Sequence, residues 1–202
     1  MHSTRVKVCG ITRPEDAIAA ADAGVAAIGL VFVERSPRCV DFEQARRICA
    51  TLPGWLSVVG LFMDATANYV DEALSCLPLN WLQFHGSESE AYCRSFGRPY
   101  IKAVAMAGDT PDWSDFSSAT ALLLDAHAPG QQGGSGATFN WKAFTPPERP
   151  WILAGGLNVH NVASAMALMK PNALDVSSGV ESAPGIKDKQ LMNEFMQVIR
   201  HG

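Results

Sequence analysis

The chain has 202 residues, 48% of them hydrophobic, with 16 basic and 20 acidic side chains and a net charge of −4. That length suits one domain, spanning 1–202, with a substantial core. The acidic surplus argues against a general nucleic-acid binder, which carries a basic surplus. No apolar run reaches the roughly 18 residues of a membrane span, and Met1-His2-Ser3-Thr4-Arg5 enters a strand without a signal-peptide pattern. Cys9, Cys39, Cys49, Cys76 and Cys93 form an odd set without metal-ligand spacing. They read as reduced thiols, so a cytoplasmic location with neither metal, membrane nor nucleic-acid partner is expected.

In chain order, a short β-branched strand at 6–9 ends in Cys9-Gly10, and a helix at 14–23 follows, with Thr12 near its cap, Pro14 in its first turn and Gly24 closing it. Strand 26–32 leads to helix 41–52, strand 57–62 to helix 66–77, and strand 81–84 to helix 87–96. Strand 100–105 precedes a polar stretch at 108–118 with at most a short helix. Strand 121–124 precedes a glycine-rich loop and a weak helix near Trp141. Strand 151–154 leads to helix 158–169, and strand 173–176 to a closing amphipathic helix at 187–200.

This alternation amounts to about eight βα units, the number a closed parallel (β/α)8 barrel, or TIM barrel, requires. The strands are short apolar runs, as strands buried on both faces should be. Cys9-Gly10-Ile11-Thr12 is not the G-x-G-x-x-G turn of a doubly wound open sheet.

Chemistry in such barrels sits at the carboxyl ends of the strands. There the sequence places Cys9, then Arg38 after the second strand, His85 after the fourth and Asp125 after the sixth. Gly155-Gly156 follow the seventh strand, and Asp175 with Ser177-Ser178-Gly179 closes the eighth. Loops seven and eight are the usual phosphate site, because glycine lets backbone N–H groups approach phosphate oxygens and helix N-termini add a favourable dipole. A carboxylate ending the apolar run Ala121-Leu122-Leu123-Leu124 is costly unless paired, solvated or catalytic. A thiol and a carboxyl group together suit proton shuffling, though the same thiol could act as a nucleophile. Desolvation is expected to raise the pKa of Asp125, and the helix start after Gly10 to shift Cys9 toward thiolate. Single residues also have plain readings: a buried Cys9, a core His85, a solvated Arg38. Cys39, Cys49, Cys76 and Cys93 fall at loop or helix positions and read as structural.

The motifs Lys7-Val8-Cys9-Gly10-Ile11-Thr12, Ser36-Pro37-Arg38, Gln83-Phe84-His85-Gly86 and Leu124-Asp125 occur in order. Gly133-Gly134-Ser135-Gly136, Phe139-Asn140-Trp141, Ala154-Gly155-Gly156-Leu157-Asn158, Asp175-Val176-Ser177-Ser178-Gly179-Val180-Glu181 and Pro184-Gly185 continue the series. With these the chain resembles phosphoribosylanthranilate isomerases over essentially its whole length. The resemblance implies a single (β/α)8 barrel without metal or organic cofactor. It implies an Amadori rearrangement of a small-molecule substrate, phosphoribosylanthranilate, in tryptophan biosynthesis. It makes Cys9 the general base and Asp125 the general acid, and sets Arg38 near the anthranilate carboxylate. The phosphate falls to Gly155, Gly156, Ser178 and Gly179, while His85, Asp175, Gly134 and Ser135 complete the substrate-binding set. The loop 133–136 looks like the segment that covers the substrate, and either a monomer or a homodimer is compatible.

Phe84, Val159 and Asp64 stand where the family more often has leucine, proline and asparagine. The competing readings are another phosphate-binding barrel enzyme and a non-catalytic binding barrel. An indole-glycerol-phosphate synthase would need a central catalytic lysine, and Lys7 precedes Cys9 rather than replacing it. A sugar-phosphate epimerase would show metal-ligating His and Asp spacing.

Overall fold

Eight parallel strands hydrogen-bond in chain order and close on themselves in the computed structural model, which describes residues 4–106, 113–125 and 147–201. They are β1 (Arg5–Cys9), β2 (Ala27–Val31), β3 (Ser57–Phe62), β4 (Trp81–Phe84), β5 (Tyr100–Ala105), β6 (Ala121–Asp125), β7 (Trp151–Ala154) and β8 (Ala173–Val176). Each agrees with the expected strand to within a residue at either end. Closure is made by β1 against β8, in a register that sets Lys7 opposite Asp175.

Side chains alternate across each strand, so the barrel has two apolar compartments. Val59, Ile101, Ala103, Leu123, Ile152 and Ala154 pack on the inner face, with Cys9, Val31 and Leu61 clustered separately. Outward residues such as Val8, Ile28, Leu30, Leu122 and Leu174 join the larger core under the helices. Register carries the polar positions to the inner face: Lys7 lies beside Ala27, Gln83 beside Ile101, and Asp125 beside Ala154.

Among the described residues the helices are α1 (Pro14–Ala23), α2 (Phe42–Cys49), α3 (Ala67–Cys76), α4 (Glu90–Arg94), α5 (Val162–Met169) and α6 (Lys189–His201). None is long and apolar enough to cross a membrane. Asp41, Thr66 and Ser89 cap α2, α3 and α4 by accepting from the N–H groups of Gln44, Tyr69 and Tyr92. These caps shorten three expected helices at their starts, since a capping residue lies outside the helical turn. Helix α1 begins as expected at Pro14 and ends at Gly24 in the left-handed region, φ 82°. Its N-cap, however, is Arg13 and lacks a side-chain cap bond; the Thr12 hydroxyl instead donates to the Gly185 carbonyl at 2.5 Å.

The sequence reading missed a small antiparallel hairpin, β9 (Glu181–Ala183) and β10 (Ile186–Lys187), turned at Pro184-Gly185 with Gly185 at φ 78°. It follows a 3-10 turn at Ser178–Val180. A second 3-10 turn, Trp113–Phe116, lies in the expected polar stretch; the expected helix near Trp141 lies outside the described residues.

Phe84 joins an aromatic group in the outer core, its ring 6.4 Å from Phe62 and 5.8 Å from Phe96. Phe62, fully buried, stacks on Phe32 at 5.2 Å and meets the edge of Tyr69. Phe62→Ala should therefore destabilise the barrel by about 3–5 kcal/mol; urea unfolding monitored by circular dichroism measures it.

Candidate active site

The inner face at the carboxyl end of β1 carries Lys7 and Cys9 two residues apart, hence on the same side of the strand. Lys7 Nζ donates to Asp175 Oδ1 at 2.8 Å, and both side chains are at least nine-tenths buried. Gly29 on β2 leaves the space they occupy, since a Cβ there would lie 2.9 Å from Cys9 Sγ and 3.1 Å from Lys7 Nζ. Burial works against the Lys7 ammonium, but Asp175 and Cys9 outweigh it and its pKa is raised. Burial pushes the Cys9 thiol up; Lys7 pulls it down, Asp175 pushes it up and Lys187 pulls it down, with a net upward shift. The expected shift toward thiolate is thus corrected: α1 starts only at Pro14, and burial dominates the thiol.

Asp125 ends β6, across the barrel from Cys9, with a side chain 21% exposed. Its Oδ2 lies 3.5 Å from His85 Nε2, so the histidine accompanies the carboxylate rather than the thiol. Gln83 Nε2 approaches His85 Nδ1 at 3.2 Å. In that amide orientation Nδ1 accepts, which puts the neutral ring's proton on Nε2, facing Asp125. Gln83 itself is fully buried, and its Oε1 lacks a hydrogen-bond partner among the described residues.

Arg38, beyond β2, reaches the hairpin. Its Nε and Nη2 donate to Glu181 Oε1 and Oε2 at 2.8 and 2.7 Å. Lys187, whose side chain is wholly buried, donates to the same Oε1 at 2.7 Å and to the Ser177 carbonyl at 3.2 Å. Burial alone would raise the Glu181 carboxyl, yet its bonds to Arg38 and Lys187 hold it below its ordinary value. Two cations thus share one carboxylate, leaving a local positive surplus at the rim. Gly10, at φ 76°, seats the Arg38 side chain, whose Cδ would collide with any Cβ there. Sequence inspection missed Glu181 and Lys187 as partners of Arg38, because they lie in the hairpin.

After β7, Gly155 and Gly156 adopt φ 89° and 64°, a left-handed path that disfavours other residues. Asn158 and Asn161 donate side-chain N–H groups to the Gly156 carbonyl at 3.2 and 2.9 Å, which holds the loop. These bonds also delay α5 to Val162, four residues beyond its expected start. Gly179 packs on this loop, with the Leu157 carbonyl oxygen where a Cβ would be. Loops seven and eight are thereby brought together, with Ser178 half-buried beside them. Asp175 lies deeper, against Lys7. Gly134 and Ser135, with the rest of the loop 133–136, lie outside the described residues.

Of the family departures, Asp64 sits at φ 52°, a conformation that asparagine and aspartate tolerate best, and accepts from Ser87 N at 2.7 Å. Val159 packs partly buried against the outer core.

The chain matches the family model described as N-(5'phosphoribosyl)anthranilate (PRA) isomerase over residues 6–198. It is 50% identical to the N-(5'-phosphoribosyl)anthranilate isomerase of Acidithiobacillus ferrooxidans over 203 aligned positions, covering 99% of each chain. The solved phosphoribosyl anthranilate isomerase of Thermus thermophilus superposes with a TM-score of 0.88 at 36% identity, covering 98% of this chain and 99% of that one. A further solved isomerase, in complex with reduced 1-(o-carboxyphenylamino)-1-deoxyribulose 5-phosphate, superposes with a TM-score of 0.80 at 34% identity, over 98% of this chain and 100% of that one. With a family match along nearly its whole length and the barrel of the solved isomerases, the chain belongs to the phosphoribosylanthranilate isomerase family.

Proposed function

We propose that this protein isomerises N-(5-phosphoribosyl)anthranilate to 1-(2-carboxyphenylamino)-1-deoxyribulose 5-phosphate, an aldose-to-ketose Amadori rearrangement in tryptophan biosynthesis. The observation that carries the reading is a thiol and a carboxyl group facing one barrel mouth from β1 and β6, in a chain of this family. Asp125, protonated, gives its proton to the furanose ring oxygen, and the ring opens to a Schiff base at C1. Cys9, as thiolate, then takes the C2 proton. The resulting enolamine tautomerises to the ketone by losing its hydroxyl proton and gaining one at C1. Acid and base suffice for these steps, and they call for no cofactor.

The two ends of the substrate are anionic. Gly155, Gly156, Ser178 and Gly179 provide the phosphate cradle, supported by the left-handed glycines and by the contact of Gly179 with loop seven. The anthranilate carboxylate meets Arg38, whose fork is already oriented by Glu181, at a rim where cations are in surplus. His85 and Asp175 stand on the inner wall between these ends, positioned for the opened sugar. The five free thiols fit a reducing, cytoplasmic setting.

The test is anthranilate fluorescence: turnover consumes the substrate signal continuously, whereas a binding module changes it once. Cys9→Ser should keep the fold and lower kcat by about 10²-fold or more, because general-base catalysis contributes about 10² to 10⁴-fold. More than about a tenth of wild-type turnover in that variant would remove Cys9 from the mechanism.

Asp125→Asn should lose most of the rate and also the alkaline limb of a bell-shaped pH profile. The sign follows from the roles: Cys9 must be deprotonated, so its titration is the acid limb, and its upward shift moves that limb to higher pH. Asp125 must be protonated, so its titration is the alkaline limb. An unchanged bell with near-normal turnover in Asp125→Asn would transfer the acid role elsewhere, His85 being the nearest candidate.

Arg38→Ala should raise KM by about tenfold or more with a smaller change in kcat, the signature of lost uniform binding. Steady-state kinetics with a product analogue lacking the carboxylate checks the assignment: the analogue should bind wild type and variant alike.

A further inference from the structure

The barrel interior holds an ion pair that the acid–base scheme leaves unused. Lys7 Nζ and Asp175 Oδ1 are 2.8 Å apart, buried on the seam between β1 and β8. Such a pair is a weak source of stability, because the desolvation of two charges offsets their attraction. The other buried lysine–carboxylate pairs among the described residues have evident tasks. Lys187 and Glu181 hold the fork of Arg38. Lys102 and Glu88 bind the Gly86 carbonyl and the N–H groups of Asp64 and Gly86, tying loop to strand. Lys7, by contrast, bonds to the side chain of Asp175 and lies beside Cys9 on the same face of β1. Gly29 supplies the space in which the lysine and the thiol meet, since a Cβ there would lie within 3.1 Å of both Lys7 Nζ and Cys9 Sγ.

We propose that Lys7, anchored by Asp175, is the positioning residue for Cys9. Its ammonium is the fixed donor that stabilises the thiolate at the end of β1, the thiol proton leaving to solvent before substrate binds. Asp175 holds the ammonium in place from the neighbouring strand, so the donor does not swing toward the mouth. The environment of the thiol supports this. Cys49, where burial is the sole cause, is pushed up to about 11, whereas at Cys9 two cations oppose burial, Lys7 the stronger. The other charges near the thiol are Lys187 from β10 and Arg38 beyond β2. His85 and Asp125 act on Asp175 from β4 and β6. Of these cations, Lys7 is the one on the same strand face as Cys9.

The experiment compares Lys7→Met and Lys7→Arg with wild type in the whole chain. Iodoacetamide alkylation is followed across pH by mass spectrometry of the Cys9 peptide, so the other thiols do not enter, and the acid limb of kcat/KM is measured in parallel. In Lys7→Met, alkylation at pH 7.5 should slow by about tenfold, a shift of about one pH unit, and the acid limb should move up by a similar amount. Lys7→Arg, which retains a cation, should remain within about threefold of wild type. A folded Lys7→Met with wild-type Cys9 titration and acid limb would overturn the proposal.

If Lys7→Met does not fold, Lys7→Met combined with Asp175→Asn removes both charges. Cys9 should still alkylate more slowly than in wild type, because the pull of Lys7 exceeds the push of Asp175; an equal or faster rate would overturn it. The inference rests on Cys9 being the base, and the two failures separate. Turnover surviving Cys9→Ser removes the catalytic reading, while alkylation measures the coupling of Lys7 to the thiol without any turnover.

Discussion

One charge pair sits where the barrel closes. Lys7 on β1 and Asp175 on β8 share a register position, and neither could be turned outward without burying an uncompensated charge. A one-residue slip along this seam would move every side chain of β1 to the opposite face. It would drive Lys7 into the apolar layer beneath α1 and take Cys9 from the mouth. Removing one partner of such a pair costs about 3–5 kcal/mol, although replacing both by apolar groups can be neutral. The pair therefore selects a register more than it adds stability. That register fixes which way the thiol points.

A second set of charges organises the rim. Glu181 accepts from Arg38 and Lys187 together, and the hairpin bearing Glu181 and Lys187 is tied back to the first loop by Thr12 on the Gly185 carbonyl. Gln44 in α2 donates to the Thr12 carbonyl at 2.6 Å, extending the tie to the helix that follows Arg38. The guanidinium is thus held at both its stem, by Gly10, and its fork, by Glu181. Preorganisation of this kind reduces the entropy lost when an anionic ligand arrives. The remaining positive charge gives such a ligand an electrostatic reason to settle there.

Much of this architecture was readable in the sequence, for identifiable reasons. Parallel strands buried on both faces must be short apolar runs, and Ala121-Leu122-Leu123-Leu124 or Trp151-Ile152-Leu153-Ala154 offer few other readings. Helix starts were less legible. Asn158 looked like a helix start, but its amide, with that of Asn161, is engaged on the Gly156 carbonyl, so the turn persists to Asn161. The hairpin 181–187 escaped because strands of three and two residues carry no period; Pro184-Gly185 was its one local signal. Thr12 suited a cap by type, yet its hydroxyl found a carbonyl far along the chain.

The sequence by itself determined the strand count, the order of the units and the residues lying at carboxyl strand ends. Cys9, His85, Asp125, Gly155 and Asp175 follow from that, because a βα alternation sends each strand end to one rim. Only tertiary structure decided which of them meet. Lys7 and Asp175 are 168 residues apart in the chain, and Arg38 and Glu181 are 143 apart. Period and propensity act over a few residues, whereas these pairs exist because hydrogen bonding round the barrel returns the last strand to the first. The same closure sets burial, and burial raises the Cys9 thiol that the local sequence had suggested would be lowered. Dielectric surroundings belong to the folded barrel, since they depend on every chain segment packed around the thiol.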